Sequence, residues 1–344
     1  MSGSTIIANY DIVAGDPEHA AAVLAGEGST GTFVRVAGDD AAGVERFAIA
    51  VADLQATGSP DGAGRTPARL ALALPEDLAG GDLTTLLASV AGNVSEVAQV
   101  SALRLVDLRL SDGFLRGCPR PRFGVDGTRR LLARREGPLV AGGVGATRRP
   151  TPDAVAAGVR SALARGVDVI RDPVPVADPA WCRLRDRVAA VERVLAEHRE
   201  RHGRRALFTY TIDDEPAAMV VHAHLVVAGG GHAVGVRVAG VGLTAVAHLQ
   251  RRTGVLIAAR SAPGVALTRS ARFGIADEAL QAIWRLAGVD HLPVGAAHPD
   301  PAAGVRARLT PLLHGRDRAL GAVAAGTAHR AEHDDILIEE EATT

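Results

Sequence analysis

The sequence predicts an α/β protein with an N-terminal α+β domain at residues 1–136 and a (β/α)8 TIM-type barrel, shortened at its C-terminal end, at residues 137–344. Three observations lead to this prediction. Hydrophobic residues make up 47% of the 344 residues, which is enough to bury a large core. Near Glu136 the pattern changes from mixed elements to a strict alternation of short apolar runs and amphipathic helices. The alternating region holds eight apolar runs, and eight parallel strands close a TIM barrel.

The N-terminal region is predicted to form an antiparallel sheet with helices. It begins with an apolar strand from Thr5 to Val13, and Asp16 is placed to cap a helix that opens at Pro17. A second helix is predicted from Leu83 to Ala91. The remaining strands are predicted at Thr32 to Val36, Arg46 to Leu54, Ala68 to Leu74 and Leu103 to Leu110.

The barrel region alternates strands with helices. Its strands are predicted at Leu139 to Val144, Val167 to Arg171, Ala206 to Ile212, Ala233 to Val238, Val255 to Ala259, His291 to Gly295, Leu320 to Ala325 and Ile336 to Ile338. Its helices include Asp153 to Ala164, Trp181 to Arg201, Leu243 to Arg252 and Asp277 to Leu286. A doubly wound open sheet is the competing interpretation, but the glycine pattern after the first strand lacks the third glycine of a dinucleotide-binding loop.

All 38 basic residues are arginine, and the chain contains no lysine. This absence excludes a Schiff-base lysine, a carbamylated lysine, a P-loop and a lysine general base. A GC-rich genome explains the composition, since Ala, Gly and Val are also abundant. The chemical consequences are the same whatever the cause.

The remaining bulk properties concern partners and location. A net charge of -1 and an aromatic content of 3% argue against nucleic acid as a partner. The chain has no apolar run long enough to span a membrane and no signal-peptide pattern at its start, so we expect a soluble cytoplasmic protein with no membrane partner. Cys118 and Cys182 are isolated and are expected to be packing residues.

Five segments resemble motifs of one known family, in the same order and at compatible spacings. They are GEGSTGTF (26–33), AGNVSEVAQVSALRLVDLRL (91–110), WCRLRDRV (181–188), RSAPGV with RFGI (260–275) and RLAGVDHLPVGA (285–296). The first is similar to ESSTGTW, the second to an ALRL-x-DLR stretch and the third to a WRDRF helix. These are motifs of the RuBisCO large-subunit superfamily, and the match covers nearly the whole chain.

The resemblance implies a ferredoxin-like N-terminal domain, a barrel and a homodimer whose site is shared between subunits. The partner subunit would supply Glu27, Thr32 and Asn93, and all three family positions are retained. A local alternative stays open: Asn93 would cap a helix end, and the residues after Glu27 would form a hydrogen-bonded turn.

The catalytic positions differ from those of the family. Arg171, Asp172, Pro173 and Val174 correspond to KDDE, which includes the carbamylated lysine and two acidic metal ligands, and Ala259 replaces the general-base histidine. Arginine stays protonated and cannot hold Mg²⁺. The resemblance therefore implies a divergent, type IV RuBisCO-like protein with no metal, no cofactor and no carboxylation chemistry.

The last predicted strand runs into three carboxylates, Glu339 to Glu341. Family members bind a phosphate with glycine amides in this region, whereas these carboxylates would repel one. The alternative is a frayed, solvated acidic tail. Both interpretations disfavour a bisphosphate ligand.

The carboxyl ends of the barrel strands are expected to line the site. Arg260 and Arg171 are the candidates for holding an anion, and Asp172 is a further substrate-binding candidate, although adjacent strand residues point to opposite faces. Tyr210 and His291 are the candidates for moving a proton, together with Glu27. The alternative for Arg171 and Asp172 is a structural salt bridge to a neighbouring strand, and for Tyr210 and His291 it is a buried structural role.

These residues predict a metal-independent isomerase, tautomerase or lyase that acts on a small anionic or carbonyl metabolite, and specialised metabolism is the setting we expect for it. The alternative function is a non-catalytic, ligand-binding or scaffolding dimer that kept the fold. A minor alternative is a cationic substrate that meets Glu339 to Glu341.

Overall fold

A computed structural model of the chain describes residues 5–29, 41–137, 139–144, 149–260, 265–294, 321–325 and 336–340. The strands are β1 Thr5–Ala14, β2 Ala50–Ala56, β3 Thr66–Pro75, β4 Val100–Arg109, β5 Leu139–Gly143, β6 Val169–Arg171, β7 Leu207–Thr211, β8 Ala233–Val236, β9 Leu256–Ala259, β10 Phe273–Ile275, β11 His291–Val294, β12 Gly321–Ala325 and β13 Ile336–Glu340. The helices are α1 Pro17–Glu27, α2 Ala41–Phe47, α3 Glu76–Ala79, α4 Leu83–Ala91, α5 Asp112–Gly117, α6 Gly124–Leu132, α7 Pro152–Ala164, α8 Leu184–His202, α9 Pro216–Ala228, α10 Val238–Val241, α11 Leu243–Arg252, α12 Val265–Thr268 and α13 Asp277–Leu286.

The chain divides into two compact units, and the first is discontinuous in sequence. It combines Met1–Cys118 with Pro263–Leu286, while the second combines Pro119–Ala262 with Ala287–Thr344. We call the first the sheet unit and the second the barrel unit.

The sheet unit is built on a five-stranded sheet with the order β10-β4-β1-β3-β2. β1 pairs antiparallel with β3 and β4, and β3 pairs antiparallel with β2. β10 pairs parallel with β4, so the prediction of an antiparallel sheet is wrong at this edge and the sheet is mixed. The reason is topological, because β10 lies far from the other strands in sequence and local periodicity does not show which strand it joins.

Two of the strands predicted in the N-terminal region do not coincide with strands of the described residues. The strand predicted from Arg46 to Leu54 is wrong in its first part, since α2 continues to Phe47 and β2 begins at Ala50. β2 is an exposed edge strand, so its residues carry little of the apolar alternation that marks a strand boundary. The strand predicted from Thr32 to Val36 lies outside the described residues.

The barrel unit confirms the predicted (β/α)8 architecture. Its eight strands form a closed barrel in the order β11-β12-β13-β5-β6-β7-β8-β9, with parallel pairing throughout. All eight coincide with predicted strands, and the competing open sheet is excluded.

Alternation along the strands decides which side chains enter the barrel. The hydrophobic core inside the barrel is formed by strand residues and by Leu132 of α6, the helix that closes the amino end of the barrel. The strand residues of this core are Leu139, Ala141, Val169, Leu207, Ala233, Leu256 and Ala258. Because side chains two residues apart share a face, the inward direction of Val169 also sends Arg171 inward and Asp172 outward. The same rule sends Thr211 inward and Tyr210 outward.

Candidate functional site

Three arginines lie at the carboxyl ends of neighbouring barrel strands. Arg171 ends β6, Arg237 follows β8 and Arg260 follows β9, each at an inward position of its strand. We call these three residues the arginine cluster. Burial lowers the pKa of Arg260, the carboxylates of Asp172 and Asp213 oppose this, and the other two arginines lower the pKa further.

Thr211 on β7 and Gly235 on β8 position the side chain of Arg260. Its Nη1 donates a hydrogen bond to Oγ1 of Thr211, which in turn donates to the carbonyl oxygen of Val174 at 2.8 Å. A Cβ added at Gly235 would lie 2.9 Å from Cδ of Arg260, so the missing side chain makes room for the arginine. Thr211 and Gly235 therefore set the direction of the guanidinium group.

Arg237 is paired with the carboxylate of Asp213, which lies beside the arginine cluster. Its Nη1 lies 2.6 Å from Oδ2 of Asp213, and its backbone N–H donates to Oδ1 at 2.7 Å. Arg237 Nη1 also donates to the carbonyl oxygen of Pro175 at 2.8 Å. Asp213 therefore compensates one of the three positive charges of the arginine cluster.

Asp172, predicted to bind substrate, has a different role. Its carboxylate points out of the barrel and lies 3.0 Å from Nε of Arg187, with both side chains fully buried. It also accepts backbone N–H groups of Val174 at 2.9 Å and Thr211 at 3.0 Å. Burial raises the pKa of Asp172, while Arg187 and the two amides oppose that rise. The structure therefore directs Asp172 toward α8 and not into the barrel, and its substrate-binding role stays a prediction without support from this geometry.

Arg187 is the residue that the sequence interpretation missed. It donates to the carbonyl oxygens of Cys182 at 2.9 Å and Ala177 at 2.8 Å, so it ties the loop after β6 to α8. A signal was present, because Leu184, Val188 and Val191 mark the buried face of α8 and Arg187 falls on that face. An arginine on an apolar helix face predicts a buried carboxylate partner.

Tyr210 lies on the outer face of the barrel wall and is not brought to the arginine cluster. Its hydroxyl donates to Oε1 of Glu192 in α8 at 2.8 Å, and the side chain is fully buried. Burial raises the pKa of Tyr210 well above its usual value, and the Glu192 carboxylate raises it further. The structure therefore gives no support to the predicted proton-transfer role of Tyr210, because the residue occupies an outward position of β7.

His291 is also directed away from the cluster. It is the first residue of β11, and its Nε2 lies 2.7 Å from Oγ1 of Thr128 in α6, the helix at the amino end of the barrel. Apolar periodicity located the strand correctly, but the histidine stands at its start, whereas the arginines stand at the ends of theirs. The structure does not support His291 as a proton-transfer group beside Arg260.

Glu27 and Asn93 are brought together in the sheet unit. Both line a groove of about 690 Å³, together with His19 and Glu96. Both side chains are exposed, and neither has a polar partner among the described residues. Asn93 is the first residue of a short 3₁₀ turn and makes no capping hydrogen bond among the described residues, so the structure does not show that part of the local alternative. The other part is present, because after Glu27 the N–H of Ser29 donates to the carbonyl oxygen of Gly26 at 3.2 Å. Thr32 lies outside the described residues.

Two family models match the two parts of the chain. "Ribulose bisphosphate carboxylase large chain, N-terminal domain" matches residues 2–114, and "Ribulose bisphosphate carboxylase large chain, catalytic domain" matches residues 124–306. The chain belongs to the RuBisCO large-chain family.

Curated relatives within the RuBisCO family include named enzymes. The 3-oxo-isoapionate-4-phosphate transcarboxylase/hydrolase of Xanthobacter autotrophicus is 36% identical over 87% of this chain and 76% of its own length. The 3-oxo-isoapionate-4-phosphate decarboxylase of Rhizobium etli is 28% identical over 91% of this chain and 79% of its own.

Solved structures of RuBisCO-like proteins and RuBisCOs share the fold. A rubisco-like protein from Burkholderia fungorum is 27% identical and aligns with a TM-score of 0.84 over 98% of this chain and 88% of its own. A dimeric archaeal Rubisco from Hyperthermus butylicus, 20% identical, aligns with a TM-score of 0.86 over 98% of this chain and 84% of its own. Within the described residues, none of the helices combines the length and the apolar character that crossing a bilayer requires.

The Mg²⁺ site of the RuBisCO family does not fit the side chains present here. Arg171 places a permanent cation on the inner face of β6, and the Asp172 carboxylate is turned outward to Arg187. Pro173 and Val174 have no side-chain oxygen. Among the described residues, no group of three His, Cys, Asp or Glu side chains is arranged to hold a metal ion.

Proposed function

We propose that this RuBisCO-like chain is a metal-independent enzyme for a small anionic carbonyl metabolite, catalysing an isomerase, tautomerase or lyase reaction and not the carboxylation of a bisphosphate. The arginine cluster at the carboxyl end of the barrel is the observation that carries the proposal. It places fixed positive charge where catalytic groups of barrel enzymes lie.

The chemistry follows from the charge of the cluster. Removing a proton, or a carboxylate as CO₂, from the carbon beside a carbonyl leaves an enolate with negative charge on oxygen. Guanidinium groups fixed in a partly buried site stabilise such an oxyanion as it forms. Arg260, held by Thr211, is the group we assign to this role, with Arg171 as its neighbour.

The names of the relatives narrow the substrate class. Two of them act on 3-oxo-isoapionate-4-phosphate, which is a 3-oxo acid carrying one phosphate. A 3-oxo acid loses CO₂ to give an enolate, so a lyase reaction fits the cluster best. We propose a phosphorylated 3-oxo acid, or a close analogue, as the substrate.

A homodimer would complete the site. Glu27 and Asn93 face an exposed groove and have unused hydrogen-bonding capacity among the described residues, which supports a role toward a second subunit or its substrate. Since Tyr210 and His291 are directed elsewhere, we propose Glu27 as the group that moves the proton, with Asn93 and Thr32 binding substrate beside it.

The test is turnover of 3-oxo-isoapionate-4-phosphate with EDTA present. We expect release of CO₂, and in D₂O we expect deuterium in the product at the carbon that held the carboxylate. Arg260→Met should lower the rate about 100-fold, because it removes an oxyanion-stabilising group. Arg160→Met, at an exposed position of α7, is the matched control and should have no effect.

Two outcomes would contradict the proposal. One is the absence of both CO₂ release and deuterium incorporation across a panel of 3-oxo acids and their phosphates. The other is activity that EDTA abolishes.

The second candidate function is a non-catalytic binding or scaffolding dimer. It is favoured by the placement of Tyr210 and His291 away from the cluster and by the ion pairing of Asp172 and Asp213. If the cellular role survives both Arg260→Met and Glu27→Gln but is lost when the dimer is broken, this second function is the correct one.

A further inference from the structure

A second cavity lies in the barrel unit, away from the arginine cluster. It has a volume of about 310 Å³ and is lined by the inner face of α8, the start of β7 and the turn after α9. Its apolar walls come from Leu131, Leu195 and Leu207. This volume is sufficient for a small metabolite, and apolar walls with a few polar groups are typical of ligand sites.

Glu192 presents a carboxylate to this cavity. Its Oε1 accepts the hydrogen bond from the buried hydroxyl of Tyr210, whereas Oε2 has no hydrogen-bond partner among the described residues. A Cβ added at Gly230 would lie 3.9 Å from Oε2, so that oxygen is directed toward the part of the cavity wall formed by Gly229 and Gly230. One oxygen is thus fixed by the protein and the other is available to a ligand.

Two guanidinium groups line the same cavity. Arg199 lies seven residues after Glu192, on the same face of α8 and about 10 Å further along its axis. Arg205 follows the end of α8. Neither arginine forms an ion pair with Glu192 or with another described residue. The cavity therefore holds opposite charges that are separated and do not neutralise each other.

We propose that this cavity binds a small zwitterion of the amino-acid class. Its ammonium group would donate to Oε2 of Glu192, and its carboxylate would accept from Arg199 and Arg205. The hydrocarbon part would contact Leu131, Leu195 and Leu207. A ligand with an ammonium and a carboxylate a few bonds apart can pair with Glu192 and with the arginines at the same time. A simple anion or a simple amine would pair with only one of them.

Partial burial of Glu192 agrees with this assignment. Burial raises the pKa of Glu192, while the hydrogen bond from Tyr210 opposes that rise. A carboxylate partly withdrawn from water is stabilised in its charged form by a cationic partner. An ammonium ligand supplies that partner.

The site is independent of the proposed reaction, since it shares no residue with the arginine cluster. The experiment is calorimetric titration of the full chain with each of the twenty proteinogenic amino acids, up to about 10 mM. We expect one or more to bind once per chain. N-acetylation of that amino acid and removal of its carboxylate should each weaken binding about tenfold or more, because each loses one charged hydrogen bond.

Variants of the lining residues test whether the amino acid binds in this cavity. Glu192→Gln keeps an acceptor for Tyr210 and so should fold, but it should weaken binding about tenfold, as should Arg199→Ala. Glu197→Gln is the control, because Glu197 pairs with Arg201 at 3.8 Å and does not line the cavity. Arg260→Met should bind the amino acid normally, which separates this site from the proposed active site.

The proposal is overturned if none of the amino acids binds, or if the bound one is indifferent to both Glu192→Gln and Arg199→Ala. Binding that Arg260→Met abolishes while Glu192→Gln preserves it would place the ligand at the barrel's carboxyl end and would also overturn it.

Discussion

At the scale of single residues, the most informative pair is Asp172 with Arg187. In the family pattern residue 172 falls among the metal-binding carboxylates, yet here its carboxylate holds a buried arginine of α8 and the backbone of β7. Alternation along β6 made it predictable that only one of Arg171 and Asp172 enters the barrel. The sequence could not show which one, because that choice depends on the strand's packing against α6 and α8.

Breaking this pair should be costly. Arg187→Met leaves the Asp172 carboxylate buried without its cation, so we expect a loss of about 3–5 kcal/mol in the free energy of unfolding, measured by urea denaturation. Arg183→Met removes the exposed partner of Asp178 one helical turn earlier and should cost less than about 1 kcal/mol. Similar losses in the two variants would show that burial does not amplify the Asp172–Arg187 interaction.

Thr211 offers a test of how Arg260 is positioned. Thr211→Val removes the hydroxyl that accepts from Arg260 while keeping the shape, whereas Thr211→Ser keeps the hydroxyl. We expect the valine variant to lower kcat for the phosphorylated 3-oxo acid about tenfold and the serine variant to change it little. Equal kcat values for the two variants would mean that the hydroxyl does not orient the guanidinium.

At the scale of elements, the barrel strands were predictable and the sheet unit was less so. The barrel strands β5 to β9 are short apolar runs between helices and most of their residues are buried, a pattern that is strong in sequence. β2 is exposed, so its start was misplaced, and β10 has only three residues. The pairing of β10 with β4 depends on tertiary contacts, which local patterns do not report.

Gly274 controls whether β10 can join its sheet. Its φ is +127°, and an added Cβ would lie 3.1 Å from the carbonyl carbon of Leu267 and closer still to its oxygen. Gly274→Ala should therefore destabilise the sheet unit by about 1–3 kcal/mol and speed amide exchange at Leu103, which donates to Arg272. Gly254→Ala is the control, since an added Cβ there meets nothing within 4 Å. Unchanged exchange at Leu103 in Gly274→Ala would contradict this account.

At the scale of the whole molecule, the two tyrosines can be titrated without overlap from lysine side chains. The two tyrosines, Tyr10 and Tyr210, are both buried, and burial raises the pKa of each. With no lysine in the chain, amine side chains do not titrate in the same range. The absorbance change near 295 nm at alkaline pH should therefore report on these two phenols.

We expect the native protein to show no phenolate absorbance at 295 nm at pH 11, whereas the urea-unfolded chain should titrate near pH 10. Since both folded pKa values are raised, the stability that these groups contribute is fully present below pH 10 and is lost as pH rises above it. The two tyrosines should contribute a loss of about 2.7 kcal/mol per pH unit. A native titration step near pH 10 would show that one tyrosine is accessible.

The discontinuous sheet unit has a consequence for synthesis on the ribosome. β4 is complete once Arg109 has been made, but its partner β10 and helix α13 follow only at residues 273–286, after most of the barrel strands. Until then the nascent chain carries an unpaired edge along β4, the kind of surface that recruits foreign strands. A fragment ending at Cys118 would keep that edge permanently, so aggregation of that fragment, relieved by adding residues 263–286 in trans, is the behaviour to expect.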